Sequence, residues 1–84
     1  MPDVTIYTTR FCPYCVRARA LLDSKDIRYT EIAVDTDYEQ RSIMEQRSNQ
    51  TSVPQIFINE QHIGGCDDLH ALEAAGELDT RLTG

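Results

Sequence analysis

The chain has 84 residues, 40% of them hydrophobic and 26% charged, the balance of an ordinary folded chain with a modest core and not of a disordered one. Fourteen acidic against eight basic residues give a net charge of −6, which argues against nucleic acid as the main partner. No apolar run is long enough for a secretory core or a membrane span, so a cytoplasmic location away from any membrane is expected.

Without a repeat, low-complexity tract or linker, residues 1–84 read as one unit. Val4 to Thr8 (VTIYT) is β-branched and aromatic, which suits a strand. A helix is expected to begin near Pro13, where a fixed φ and a missing N–H cost nothing, and to carry Val16, Ala18, Ala20, Leu21 and Leu22 as far as the polar DSKD. Ile27 to Val34 returns to strand composition, completing a β-α-β unit. Thr36 and Glu39 have capping-box spacing, so a second helix is expected from about Asp37 to Arg47. Gln55 to Ile58 and Gln61 to Ile63 flank Asn59 and Glu60 as a hairpin. Gly64 and Gly65 end it, and a last helix follows with Asp67 or Asp68 at its N-terminus and Gly76 as its stop. The order β-α-β-α-β-β-α predicts an α/β fold, a four-stranded mixed sheet flanked by three to four helices.

Between the first strand and helix stands CPYC, with Cys12 and Cys15 three positions apart. No Asp or Glu occurs from Val4 to Leu22, whereas Arg10, Arg17 and Arg19 do, so an acidic chain keeps a basic neighbourhood around this pair. A structural zinc site would need more ligands at finger spacing, and Cys66, His62 and His70 do not supply it. Val16 after Cys15 excludes haem attachment. A permanent disulfide closing so short a loop restricts the unfolded chain little and would be a poor staple. Redox chemistry has a positive mechanism instead, because the first N–H groups of a helix and the nearby Arg10 stabilise a thiolate at Cys12, the reactive species in exchange. Cys15, one turn further in, is expected to stay protonated until needed. Pro13 and Tyr14 also have plain roles as a helix start and as packing. Phe11 is a candidate shield for the thiolate. Cys66, the odd cysteine, either stays free as a small buried residue or pairs elsewhere.

Over nearly its whole length the chain resembles the glutaredoxins, in particular the small bacterial dithiol kind, through IYTxxxCPYC at Ile6–Cys15, SVPQIFI at Ser52–Ile58 and HIGGCDDL at His62–Leu69. The resemblance implies a thioredoxin-like fold and a glutathione-disulfide oxidoreductase, with Cys12 as nucleophile, Cys15 as resolving thiol and glutathione as co-substrate, no cofactor or metal being permanently bound. It further implies that Pro54 is a cis-proline facing the pair and that Val53 offers its backbone to glutathione. Asp67 would bind the ligand's α-amino group, together with backbone around Gly65 and Cys66, and Tyr14 would belong to the same site. The family usually has a lysine where this chain has Thr9, so Arg10, with Arg41 on the second helix, is the candidate for a glutathione carboxylate. Expected partners are glutathione and glutathionylated or disulfide-containing proteins, ribonucleotide reductase among them, acting on a monomer. Two rivals are a [2Fe–2S] cluster module, disfavoured by Pro13 in the motif, and a thioredoxin-type reductant, which typically carries CGPC in place of CPYC.

Overall fold

The computed structural model describes residues 3–83. Along the chain run β1 (Val4–Thr8), α1 (Pro13–Ser24), β2 (Thr30–Ala33), α2 (Tyr38–Ser48), β3 (Gln55–Ile58), β4 (Gln61–Gly64), α3 (Cys66–Ala74) and α4 (Leu78–Thr83). The strands form one mixed sheet in the order β2-β1-β3-β4. β1 pairs parallel with β2 and antiparallel with β3, and β3 pairs antiparallel with β4.

Alternation along the central strands splits the core in two. Val4 and Ile6 of β1 stand opposite Ile58 and Ile56 of β3 and pack with Ala18 and Leu22 of α1, Leu69 of α3, and Leu78 and Leu82 of α4. Tyr7 and Phe57 belong to the other face, with Val34 and with Met44 of α2. Three helices therefore cover one face of the sheet and one covers the other. All four residues of β3 are buried, as suits a strand covered on both sides. This arrangement delivers the N-terminus of α1, the turn before β3 and the N-terminus of α3 to one neighbourhood.

Several expectations are corrected at element ends. β2 begins at Thr30, not Ile27, because the preceding residues finish α1. Asp26 adopts φ 54°, its N–H bonds Asp23 O, and Ile27 N bonds Leu22 O, the paired closure of a Schellman motif. The cap of α2 is Asp37 and not Thr36, its carboxylate accepting from Gln40 N at 3.1 Å. Gly76, at φ 73°, ends α3 as expected, with the same pair of bonds from Gly76 N to Glu73 O and from Glu77 N to Leu72 O. Beyond it α4 is an element absent from the expected order; its Leu78 and Leu82, one turn apart, are buried. The hairpin turn is Asn59-Glu60 as expected, both at positive φ, 51° and 68°, the conformation of a type I′ turn.

Candidate active site

Cys12 is the N-cap of α1, extended at φ −132° and ψ 101°. At that position a side chain folds back over the first turn, whose N–H groups lack intrahelical acceptors. Cys12 Sγ takes the place of the usual capping oxygen and accepts from Cys15 N at 3.1 Å. Pro13 at N1 removes a donor that would otherwise be orphaned. No acidic residue stands in the first turn, so the sulfur faces the positive end of the helix without a competing carboxylate, and negative charge on it is stabilised as it attacks or leaves.

Cys15 is fully buried. That burial first, and then a hydrogen bond the thiol donates to the neighbouring Cys12, pushes it up to about 12, against which the Thr9 backbone and Arg19 pull down. Arg19 is held in place by Glu31 Oε2 at 2.6 Å. Part of what keeps Cys15 protonated is thus Cys12 itself. All three cysteines are free thiols. Cys66 is buried in the core, and burial pushes its thiol up as well.

A groove of about 290 Å³ opens between α1, the loop before β3 and the start of α3. Its lining brings together Tyr14, Val53, Pro54, Gly65, Cys66 and Asp67, and Cys12 Sγ lies 3.9 Å from Val53 O. The Val53–Pro54 peptide bond is cis, as the resemblance implied. Gln50, Ser52 and Asp68 complete the lining. Gln50 carries no sequence signal of its own, and Ser52 enters the sequence reading only as the first residue of SVPQIFI, with no role assigned.

Asp68 also shapes the groove's edge. Its Oδ2 accepts from Gly65 N at 3.0 Å, closing the first turn of α3, and it crowds Gly64, where an added Cβ would sit 2.2 Å from that oxygen. Gly64 also has φ 120°, so the position demands glycine twice over. The bend expected of Gly64 and Gly65 therefore serves the cap of α3. At Gly65 an added Cβ would meet only Pro54 O at an ordinary 3.5 Å.

Arg10 and Arg41 stand outside the groove lining. Arg10 Nε pairs with Asp35 Oδ2 at 2.9 Å and its backbone N–H bonds the same oxygen at 3.3 Å; this guanidinium holds the Asp35 carboxyl below the usual carboxylate range. Arg41 reaches Glu45 at 3.2 Å and Thr51 O at 2.8 Å, fastening the loop that carries Ser52 and Val53. Phe11 is 93% exposed, which corrects its expected role as a cover for the sulfur. Among the described residues, no group of three His, Cys, Asp or Glu side chains is arranged to hold a metal ion.

The glutaredoxin family model matches residues 4–63. The chain is 54% identical over 83 residues to a glutaredoxin of Pseudomonas aeruginosa, covering 99% of each, and 55% identical over 82 residues to glutaredoxin 3 of Escherichia coli K12, covering 98% of this chain and 99% of that one. Among solved structures it resembles a buckwheat glutaredoxin-glutathione complex, with TM-score 0.89 and 30% identity over 98% of this chain and 77% of that one. Matched along nearly its whole length in sequence and in fold, this chain belongs to the glutaredoxin family.

Proposed function

We propose that this glutaredoxin, a glutathione-dependent thiol-disulfide oxidoreductase, works through Cys12 as nucleophile and Cys15 as resolving thiol, with the adjoining groove receiving the glutathione part of the substrate. The observation that carries this reading is the capping of α1 by Cys12 Sγ, next to the groove and with Cys15 buried behind it. In the monothiol route the Cys12 thiolate attacks the glutathione sulfur of a mixed disulfide. The substrate leaves as a thiolate that takes up a proton, and Cys12 is left glutathionylated. A second glutathione thiolate attacks that bound glutathione's sulfur, releasing glutathione disulfide and restoring Cys12. For a protein disulfide, Cys12 first forms a mixed disulfide with the substrate. Cys15 then loses its proton and attacks the Cys12 sulfur, the substrate's second thiolate departs, and two glutathiones later reduce the Cys12–Cys15 bond.

In the groove, the backbone of Val53 beside the cis-proline suits strand-like hydrogen bonding to a peptide. Tyr14 forms one wall. The N-terminus of α3, with Gly65 and Cys66, suits a carboxylate, and Asp67 suits the ammonium of the γ-glutamyl residue. The same reading takes residues 1–84 as one glutaredoxin unit, monomeric and cytoplasmic, serving glutathionylated and disulfide-bonded proteins of which ribonucleotide reductase is one candidate. Among the described residues no helix is long and apolar enough to cross a membrane. The test is reduction of a glutathione mixed disulfide coupled to glutathione reductase and NADPH. Cys12→Ser is expected to lose all turnover, and Cys15→Ser to keep this monothiol reaction while losing most reduction of protein disulfides. Equal loss in both variants would contradict the division of roles.

A further inference from the structure

The loop wall of the groove is held from behind by a buried amide. Gln55 on β3 is fully buried, and a buried amide is costly unless its donors and acceptor are satisfied. Its Nε2 donates to Gln50 Oε1 at 2.9 Å and to Ser52 O at 3.0 Å, with Ser52 Oγ at 3.4 Å. Both receiving residues line the groove, whereas Gln55 does not. Its Oε1 lies 2.7 Å from His62 Nε2 on β4.

These contacts fix one another. Ser52 O can only accept, so the nitrogen of the Gln55 amide must face the loop and the oxygen must face His62. His62 therefore carries a proton on Nε2 and donates it. Its ring is set by its neighbours, tilted against Phe57 with centroids 5.0 Å apart and opposite Phe57 in the strand pairing. The other ties to this loop act elsewhere. Ser48 Oγ bonds the backbone of Gln50, and Arg41 holds Thr51 O. Gln55 is the tie to the Gln50 side chain and to the Ser52 carbonyl, immediately before the Val53 backbone.

We propose that Gln55 and His62 are positioning residues for the glutathione groove, acting from outside it by holding the Gln50–Ser52 wall in register with Cys12. The proposal rests on the glutathione reading above. Loss of either residue shifts the wall that receives the ligand and leaves the helix cap at Cys12 in place, because the cap is the bond from Cys15 N to Cys12 Sγ and, among the described residues, no hydrogen bond of Gln55 or His62 reaches α1. Recognition of glutathione weakens while the chemistry at sulfur is retained.

The experiment compares wild type, Gln55→Glu, His62→Leu and His62→Gln on the mixed disulfide of glutathione and 2-mercaptoethanol, with the iodoacetamide alkylation rate of Cys12 measured alongside. Gln55→Glu keeps an acceptor for His62 and removes the donors to the loop. At an exposed site, His62→Leu removes the donor to Gln55 together with the ring contact to Phe57, and His62→Gln restores the donor alone, so that the two losses are separated. The expected result is a KM raised about threefold to tenfold in Gln55→Glu and His62→Leu, the effect of one or two hydrogen bonds. The KM of His62→Gln should lie near wild type, and kcat and the alkylation rate should be unchanged throughout. An unaltered KM in His62→Leu would overturn the proposal, and so would a fall in alkylation rate and kcat in parallel with the rise in KM, since that reports general loosening. Wild-type turnover is the separate control. If it is absent the glutathione reading fails and the proposal falls with it, whereas normal wild-type turnover with unaltered variants removes the proposal alone.

Discussion

Arg10 and Cys12 stand two residues apart and meet different surroundings. Cys12 is turned into the helix end, beside the Val53 carbonyl at the groove's edge, whereas Arg10 is turned away to Asp35, which accepts from both its side chain and its backbone. From sequence alone the nearest cation to the nucleophile is the natural candidate for a ligand carboxylate. What the sequence does not show is an aspartate 25 positions away that packs beside the active-site loop. An exposed pair of this kind contributes little to stability. Its effect here is to fix where the charge points. Arg10→Ala is therefore expected to leave the KM for the glutathione mixed disulfide within about twofold of wild type, as measured in the coupled assay. A tenfold rise would place the guanidinium on the ligand instead. The cysteine pair and the place of Cys12 at the start of a helix were legible because they follow from local spacing. Pro54 was legible only through resemblance, since isolated sequence gives a cis bond low odds. Gln50 and Ser52 were not legible, because their place in the groove depends on a buried glutamine in the next strand.

At the scale of elements, the strongest local patterns were read correctly. β1 and β3 fall on the expected residues, and α1 starts at Pro13. The departures share one physical cause, which is that helix ends are decided by hydrogen bonds among neighbours and composition blurs them. Ile27 and Tyr29 have strand composition, yet Ile27 closes the end of α1 and packs on its core. Thr36 has the spacing of a capping box, yet the next residue, Asp37, reaches the free N–H, and a carboxylate there also meets the helix dipole favourably. α4 has only six residues, too few for a periodic pattern to announce itself. Its signal was the spacing of Leu78 and Leu82 after the Gly76 stop, and its stability comes from burying both against the core. None of these shifts moves the site. The three segments that build it follow β1, precede β3 and follow β4, strands of the one sheet.

Considered whole, the molecule holds its reactive pair in two environments, one sulfur at a polar helix end and one in the core. The second has a consequence for stability. An unfolded thiol titrates near 9.0, whereas Cys15 in the fold is pushed up to about 12. Between those values the unfolded chain gives up the proton that the folded chain keeps, so stability is fully present below the lower value and falls as pH rises toward the upper one. Cys66, Tyr29 and Lys25, whose values are also raised, bias stability in the same direction. The contribution of Cys15 is isolated by comparing urea midpoints of the reduced wild type and Cys15→Ser from about pH 8 to about pH 11. The wild type is expected to lose stability more steeply, and parallel slopes would remove Cys15 as a cause.

The central claim is that Cys12 forms the bond to glutathione and Cys15 resolves it. Its most direct test is to treat the reduced protein with glutathione disulfide and identify the products by mass spectrometry of the intact chain and its peptides. Cys15→Ser is predicted to hold one glutathione on Cys12, because nothing remains to displace it, and wild type to pass on to a Cys12–Cys15 disulfide with no glutathione retained. Glutathione found on Cys66 in place of Cys12, or no adduct in the Cys15→Ser variant, would contradict it.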